Sequence, residues 1–160
     1  MAVNPLKTYL RDHLAGSRSA LKLLQDLRRS HAGNDIGELA EELHREISTD
    51  RATLWKIGKH VGVRRSLVKE TGAWVIARLL RPKLERDGPG GFGTFQKLEI
   101  LSLGIEGKRM LWRVLANASR TDRRLAGFNY PRLQRRATAQ REKVDRLGLA
   151  LSAAVLTRRD

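Results

Sequence analysis

The sequence predicts an all-α protein, a four-helix bundle of two antiparallel hairpins joined by a short crossover helix. Three observations predict it. Apolar residues recur every three to four positions through four stretches of about 25 residues. Three polar or glycine-rich breaks, SHAGND (30–35), RDGPGGFG (86–93) and TDRRLAGF (121–128), separate them. No stretch alternates with the two-residue period of a strand.

The first helix spans about 5–29. Asn4 suits an N-cap and Pro5 a first helical position. Leu6, Leu10, His13, Ser17, Leu21, Leu24 and Leu27 share one face at about 100° per residue. The second spans about 35–61, capped by Asp35 and closed by Gly62, with a stripe of Ile36, Ala40, Leu43, Ile47, Asp50, Leu54, Ile57 and Val61. A shorter helix over about 66–84 holds Trp74, Val75 and Leu79, and Pro82 ends or kinks it. The helix over about 94–118 is apolar on two sides. One side carries Leu98, Leu101, Ile105 and Trp112, the other Ile100, Leu103, Met110, Leu111 and Val114, and such a helix is expected to pack centrally. The last, about 130–157, is marked at its start by Asn129 and Pro131. Its stripe is Leu133, Ala137, Gln140, Val144, Leu147, Leu151 and Val155. The 160 residues read as one domain, 1–160, with no repeat or low-complexity segment. Trp55, Trp74 and Trp112 fall on different helices and read as core or seam anchors.

Two hairpins and one long crossover make the ferritin-like plan. The stretches YLRDHLAGSRSALKLLQDL, EEL-REISTDRATLWKIGKHVG and LEILSLGIEGKRMLWRVL resemble an uncharacterised bacterial family of ferritin-like helical bundles. The resemblance covers most of the chain as helical pattern. It implies the fold and brings no function with it.

A di-iron carboxylate centre requires inward Glu residues and a Glu-x-x-His pair on each of two helices. The single such spelling is Glu41 to His44. Helical position turns Glu41 away from the apolar stripe, at about 140° from Ile36. The first helix offers no inward carboxylate and the last no histidine. No metal and no cofactor is expected. Without cysteine, disulfides, thiolate nucleophiles and cysteine-ligated metals are excluded.

Two polar groupings do face inward. His13 and Asp50 each interrupt an apolar stripe, and a turn near 31–33 places them at one level of the first hairpin. The expectation is a buried His–Asp hydrogen-bonded pair, with Ser17 one turn from His13. Glu99, Ser102, Glu106, Arg109 and Arg113 form a polar strip on the helix over 94–118. With a turn near 123–125, Glu106 is expected to meet Gln140. No catalytic residue is assigned. The rival reading is a degenerate metal-binding protein or a small-ligand enzyme using His13, Asp50 or Glu106.

Charge is uneven. Residues 1–62 hold 10 Lys and Arg against 8 Asp and Glu, whereas residues 63–160 hold 22 against 9. Arg132, Arg135, Arg136, Lys143 and Arg146 form a basic band placed opposite the last helix's apolar stripe. Arg120, Arg123, Arg124, Arg158 and Arg159 extend it. Such a band attracts phosphates weakly and without sequence choice, as in nucleic acid or an anionic surface. No recognition-helix, zinc-finger or phosphate-loop motif accompanies it; GPGGFG lacks the G-K-[ST] ending. No run approaches the ~20 apolar residues of a membrane span, and charge interrupts the N-terminus before a signal-peptide core forms. The resulting expectation is a non-catalytic cytoplasmic bundle that works by binding or by assembly, homo-oligomers included.

Overall fold

The computed structural model describes residues 4–64 and 91–157. These form four α-helices, one 3₁₀ turn and no strand: α1 (Pro5–Ser30), α2 (Asp35–Val61), α3 (Phe92–Ala118), the turn Arg123–Leu125, and α4 (Tyr130–Leu156). The expected helix over 66–84, with Trp74, Val75 and Leu79, lies outside the described residues.

Local chemistry sets each helix end. The Asn4 side chain accepts from Lys7 N, and Pro5 follows it at the position where a missing N–H is harmless. The cap of α2 is Asn34 rather than Asp35. Its Oδ1 takes the amides of Ile36 and Gly37, leaving Asp35 inside the first turn, where a negative charge meets the positive helix end. Gly37 is required there, because a Cβ would stand 2.1 Å from the His31 carbonyl oxygen. Gly62 ends α2 with φ at 82°, a left-handed conformation that favours glycine. α3 begins at Phe92, two residues before the expected start, because the Gly91 carbonyl already accepts from Phe95 N. Asn129 caps α4 through Arg132 N, with Pro131 in its first turn.

α1 pairs antiparallel with α2, and α3 with α4. Arg28–Glu41 at 2.8 Å ties the first pair near its turn, and Arg141–Glu106 at 2.8 Å ties the second. The pairs meet over a shared core of Leu10, Leu14 and Leu24 from α1, Leu43 and Ile57 from α2, Leu101, Ile105 and Trp112 from α3, and Ala137 and Val144 from α4. Burying each large apolar side chain contributes about 1.5–3 kcal/mol. Below α4, the buried Tyr130 hydroxyl donates to the Leu125 carbonyl at 2.6 Å, fixing the loop to the helix it precedes. Burial pushes the Tyr130 hydroxyl pKa up to about 12, so it remains a donor throughout the physiological range.

The expectation that α3 is enclosed on both sides is corrected. Its Leu98–Leu101–Ile105–Trp112 side is core, and of the other side Leu111 is buried and Ile100 packs against the core, whereas Leu103, Met110 and Val114 are exposed.

Candidate functional site

The polar residues on the inner helix faces gather into a seam where α2, α3 and α4 meet. Asp50 is at its centre and is 1% exposed. Its Oδ2 receives Lys108 Nζ of α3 at 2.5 Å, and its Oδ1 receives the Arg136 guanidinium of α4. Gln140 bridges the group. Its amide oxygen accepts from Lys108, and its nitrogen donates to Glu46 Oε2 at 2.8 Å and to Asp50 Oδ2 at 3.4 Å. That amide orientation is the one its neighbours demand: oxygen toward the ammonium, nitrogen toward the carboxylates. One turn further along, Lys143 pairs with Glu42 at 2.6 Å.

The seam is therefore built by α2 residues 42, 46 and 50 facing α4 residues 143, 140 and 136 in antiparallel register, with Lys108 inserted from α3. Two carboxylates and two cations around one neutral amide balance formally, as buried charge requires. Burial lowers the Lys108 pKa from its ordinary value, and Asp50 opposes that shift by attraction and hydrogen bonding.

A second cluster lies on the outer side of α3 and α4. Arg109 grips Glu106 with two bonds, Nε to Oε2 at 2.9 Å and Nη2 to Oε1 at 2.6 Å. Arg141 adds a third at 2.8 Å and reaches Ser102 Oγ at 3.3 Å, while Ser102 donates to Asp145. Hydrogen bonds from Arg109, then Arg141, hold the Glu106 carboxyl down at about 2.

These contacts change the expected pairings. Asp50 is held by Lys108 and Arg136, not by His13. Its carboxylate turns toward α3 and α4, where two cations outbid a neutral imidazole. His13 instead stands half-buried with its ring edge-on to Tyr9, centroids 4.6 Å apart, and burial lowers its pKa while Asp12 opposes the shift. Glu106 meets Arg141 rather than Gln140, which the inner seam claims. Glu99 is exposed and stands apart from the cluster. Arg136 and Lys143 do not belong to a solvent-facing band. They flank the apolar stripe and turn inward to α2, leaving Arg132, Arg135 and Arg146 exposed. Glu41 faces outward as expected and is taken by Arg28, which keeps its carboxyl below the ordinary range.

His13 and Asp50 nevertheless border one cavity, of about 410 Å³, between α1, α2 and α3. Its walls are mainly apolar, including Leu23, Ile47, Leu54 and Leu111, with Ser17 and Lys108 among the polar contributors. Ser17 Oγ is committed to the Leu14 carbonyl at 2.8 Å. The buried indole N–H of Trp112, which also borders the cavity, has no acceptor among the described residues. Among those residues no three His, Asp or Glu side chains are grouped to hold a metal ion, and no helix is long and apolar enough to cross a membrane. Comparisons with protein-family models, curated proteins and solved structures returned no match.

Proposed function

We propose that the protein is a non-catalytic, ferritin-like bundle that works by binding, with residues 66–84 as its crossover helix and polyanions as the ligand class. The observation that carries this reading is the division of charge. Glu41, Glu42, Asp50, Glu106, Asp122 and Asp145 are committed to cations of the same chain, while Arg132, Arg135 and Arg146 of α4 and Arg123 before it stand exposed, with Glu142 the one exposed acid of that helix. The surplus is cationic, and guanidinium groups suit phosphate oxygens. The cytoplasm, where nucleic acid is abundant, is the compartment this reading assigns. Heparin chromatography tests it. Retention at low salt that vanishes near roughly 0.5 M is expected, from counterion release. Replacing Arg132, Arg135 and Arg146 together by Gln should abolish retention. Wild-type protein that passes unretained at low salt contradicts the proposal.

The cavity supports a second reading, a site for a small apolar molecule with one hydrogen-bond acceptor for the Trp112 indole. Its volume falls within the range of about 300–1,000 Å³ common for small-molecule pockets. Phenol as a probe should raise the melting temperature and shift tryptophan emission, and Ala20→Phe should remove both effects. An unchanged melting temperature at saturating phenol contradicts this reading.

A further inference from the structure

Among the described residues, four of the six large apolar side chains that stand exposed, Phe92 (44%), Leu103 (59%), Met110 (44%) and Val114 (41%), lie on one stripe of α3. Leu103, Met110 and Val114, with Ile100 and Gly107, fit the a and d positions of a seven-residue repeat, the spacing with which one helix presents a continuous seam to another. Phe92 lies on the same side, one position out of that frame. Gly107 borders the stripe while Gly104 lies about 80° from it, both also border the cavity, and a Cβ at either would meet nothing within 4 Å. Glycine inside a helix is unfavourable, and no contact among the described residues requires it at these two positions. Gly107 lets a second backbone approach closely.

We propose that this face is the interface of a symmetric homodimer, in which α3 packs antiparallel against α3 of a second copy. The stripe is complementary to itself. A two-fold axis between Glu106 and Gly107 sets Leu103 opposite Met110 of the other copy and brings Glu99 and Ile100 to the level of its Arg113 and Val114. In an antiparallel pair related by a two-fold axis, each flank of one helix meets the same flank of the other. Glu99 and Arg113 lie on one flank, within about 40° of each other, so each copy contributes one acid and one base to two equivalent ion pairs. Both residues are exposed. Glu106, at the crossing point, brings no bare charge, since Arg109 and Arg141 already neutralise it. None of the arginines assigned to polyanion binding lies on α3, so this inference stands apart from that reading.

Sedimentation equilibrium and oxidative cross-linking test it on the full chain. Wild-type protein is expected at twice the 18.1 kDa chain mass. Arg113→Glu and Glu99→Arg are each expected to give folded monomers by circular dichroism, and Glu99→Arg/Arg113→Glu together should restore the dimer. Gly107→Cys, the sole cysteine of its variant, should form an intermolecular disulfide at the two-fold axis. Three results would each overturn the proposal: a wild-type monomer at every concentration tested, a dimer insensitive to both charge reversals, or a Gly107→Cys/Trp74→Cys variant that closes within one chain, as it would if residues 65–90 covered the face.

Discussion

Two ionic clusters anchor α4, and both pair carboxylates with basic side chains, at very different depths. In the inner one the Asp50 side chain is 2% exposed and that of Lys108 13%, whereas in the outer one Glu106 is 30% exposed and Arg141 39%. A carboxylate at Asp50 has no water to return to if its cations are removed, and Lys108 has little access to water if Asp50 is removed. At Glu106 solvent and salt replace much of a lost partner. Equal-looking distances therefore carry unequal consequences: the inner seam specifies how α2, α3 and α4 align, and the outer cluster trims the surface.

The largest expected effect comes from deleting the centre of the inner seam. Asp50→Ala leaves Lys108 and Arg136 facing each other in the core and should cost about 3–5 kcal/mol in urea unfolding at pH 7. Gln140→Leu removes the neutral bridge and leaves its partners short of hydrogen bonds. The expected loss is about 1–3 kcal/mol, with midpoint rather than slope changing in the same assay. Glu106→Gln should cost no more than about 1 kcal/mol and should cost less as salt is raised. Arg109 and Arg141 hold Glu106 at about 2 in the folded chain against an ordinary 4.5. Because solvent and salt screen most of what that shift would amount to in energy, a modest stabilisation is present above pH 4.5 and disappears as pH falls toward 2. Wild type and Glu106→Gln should therefore converge in stability across that window. An undiminished gap at its lower end would refute the assigned ion pair. The smallest effect belongs to His13. Its folded pKa lies below 6.5, so protonation favours the unfolded chain, and stability is present above pH 6.5 and lost as pH falls through the folded value. His13→Gln should flatten that part of the pH–stability curve and leave the region above it unchanged.

Much of the helical layout was legible because it depends on period and caps. Asn4, Pro5, Gly62, Asn129 and Pro131 each act where their chemistry suggests. Asp50 and Gln140 were placed inward for the same reason, since a helical wheel locates a Cβ well. It does not locate the end of a long side chain. Lys108 and Arg136 start at the edges of their apolar faces and carry their charges inward along flexible stems, so Arg136 reads as part of a surface band and Lys108 draws no notice. A signal was nevertheless present. With the second hairpin turning at Arg124, antiparallel register sets Lys108 directly opposite Gln140, and a buried Asp at that level calls for a cation. His13 was the more obvious partner because the first hairpin's register sets it level with Asp50 and both interrupt an apolar stripe. The exposed side of α3 was misjudged for a different reason: apolar character on two faces says that both are to be covered, and does not say by what.

The central claim is that the Asp50 ion pair is a buried, mutually dependent unit. A double-mutant cycle of Asp50→Ala and Lys108→Met, followed by urea unfolding at pH 7, measures that dependence directly. The account predicts a favourable coupling of about 2 kcal/mol or more, with the double variant more stable than Asp50→Ala alone. A coupling below about 0.5 kcal/mol, as exposed pairs give, would contradict it.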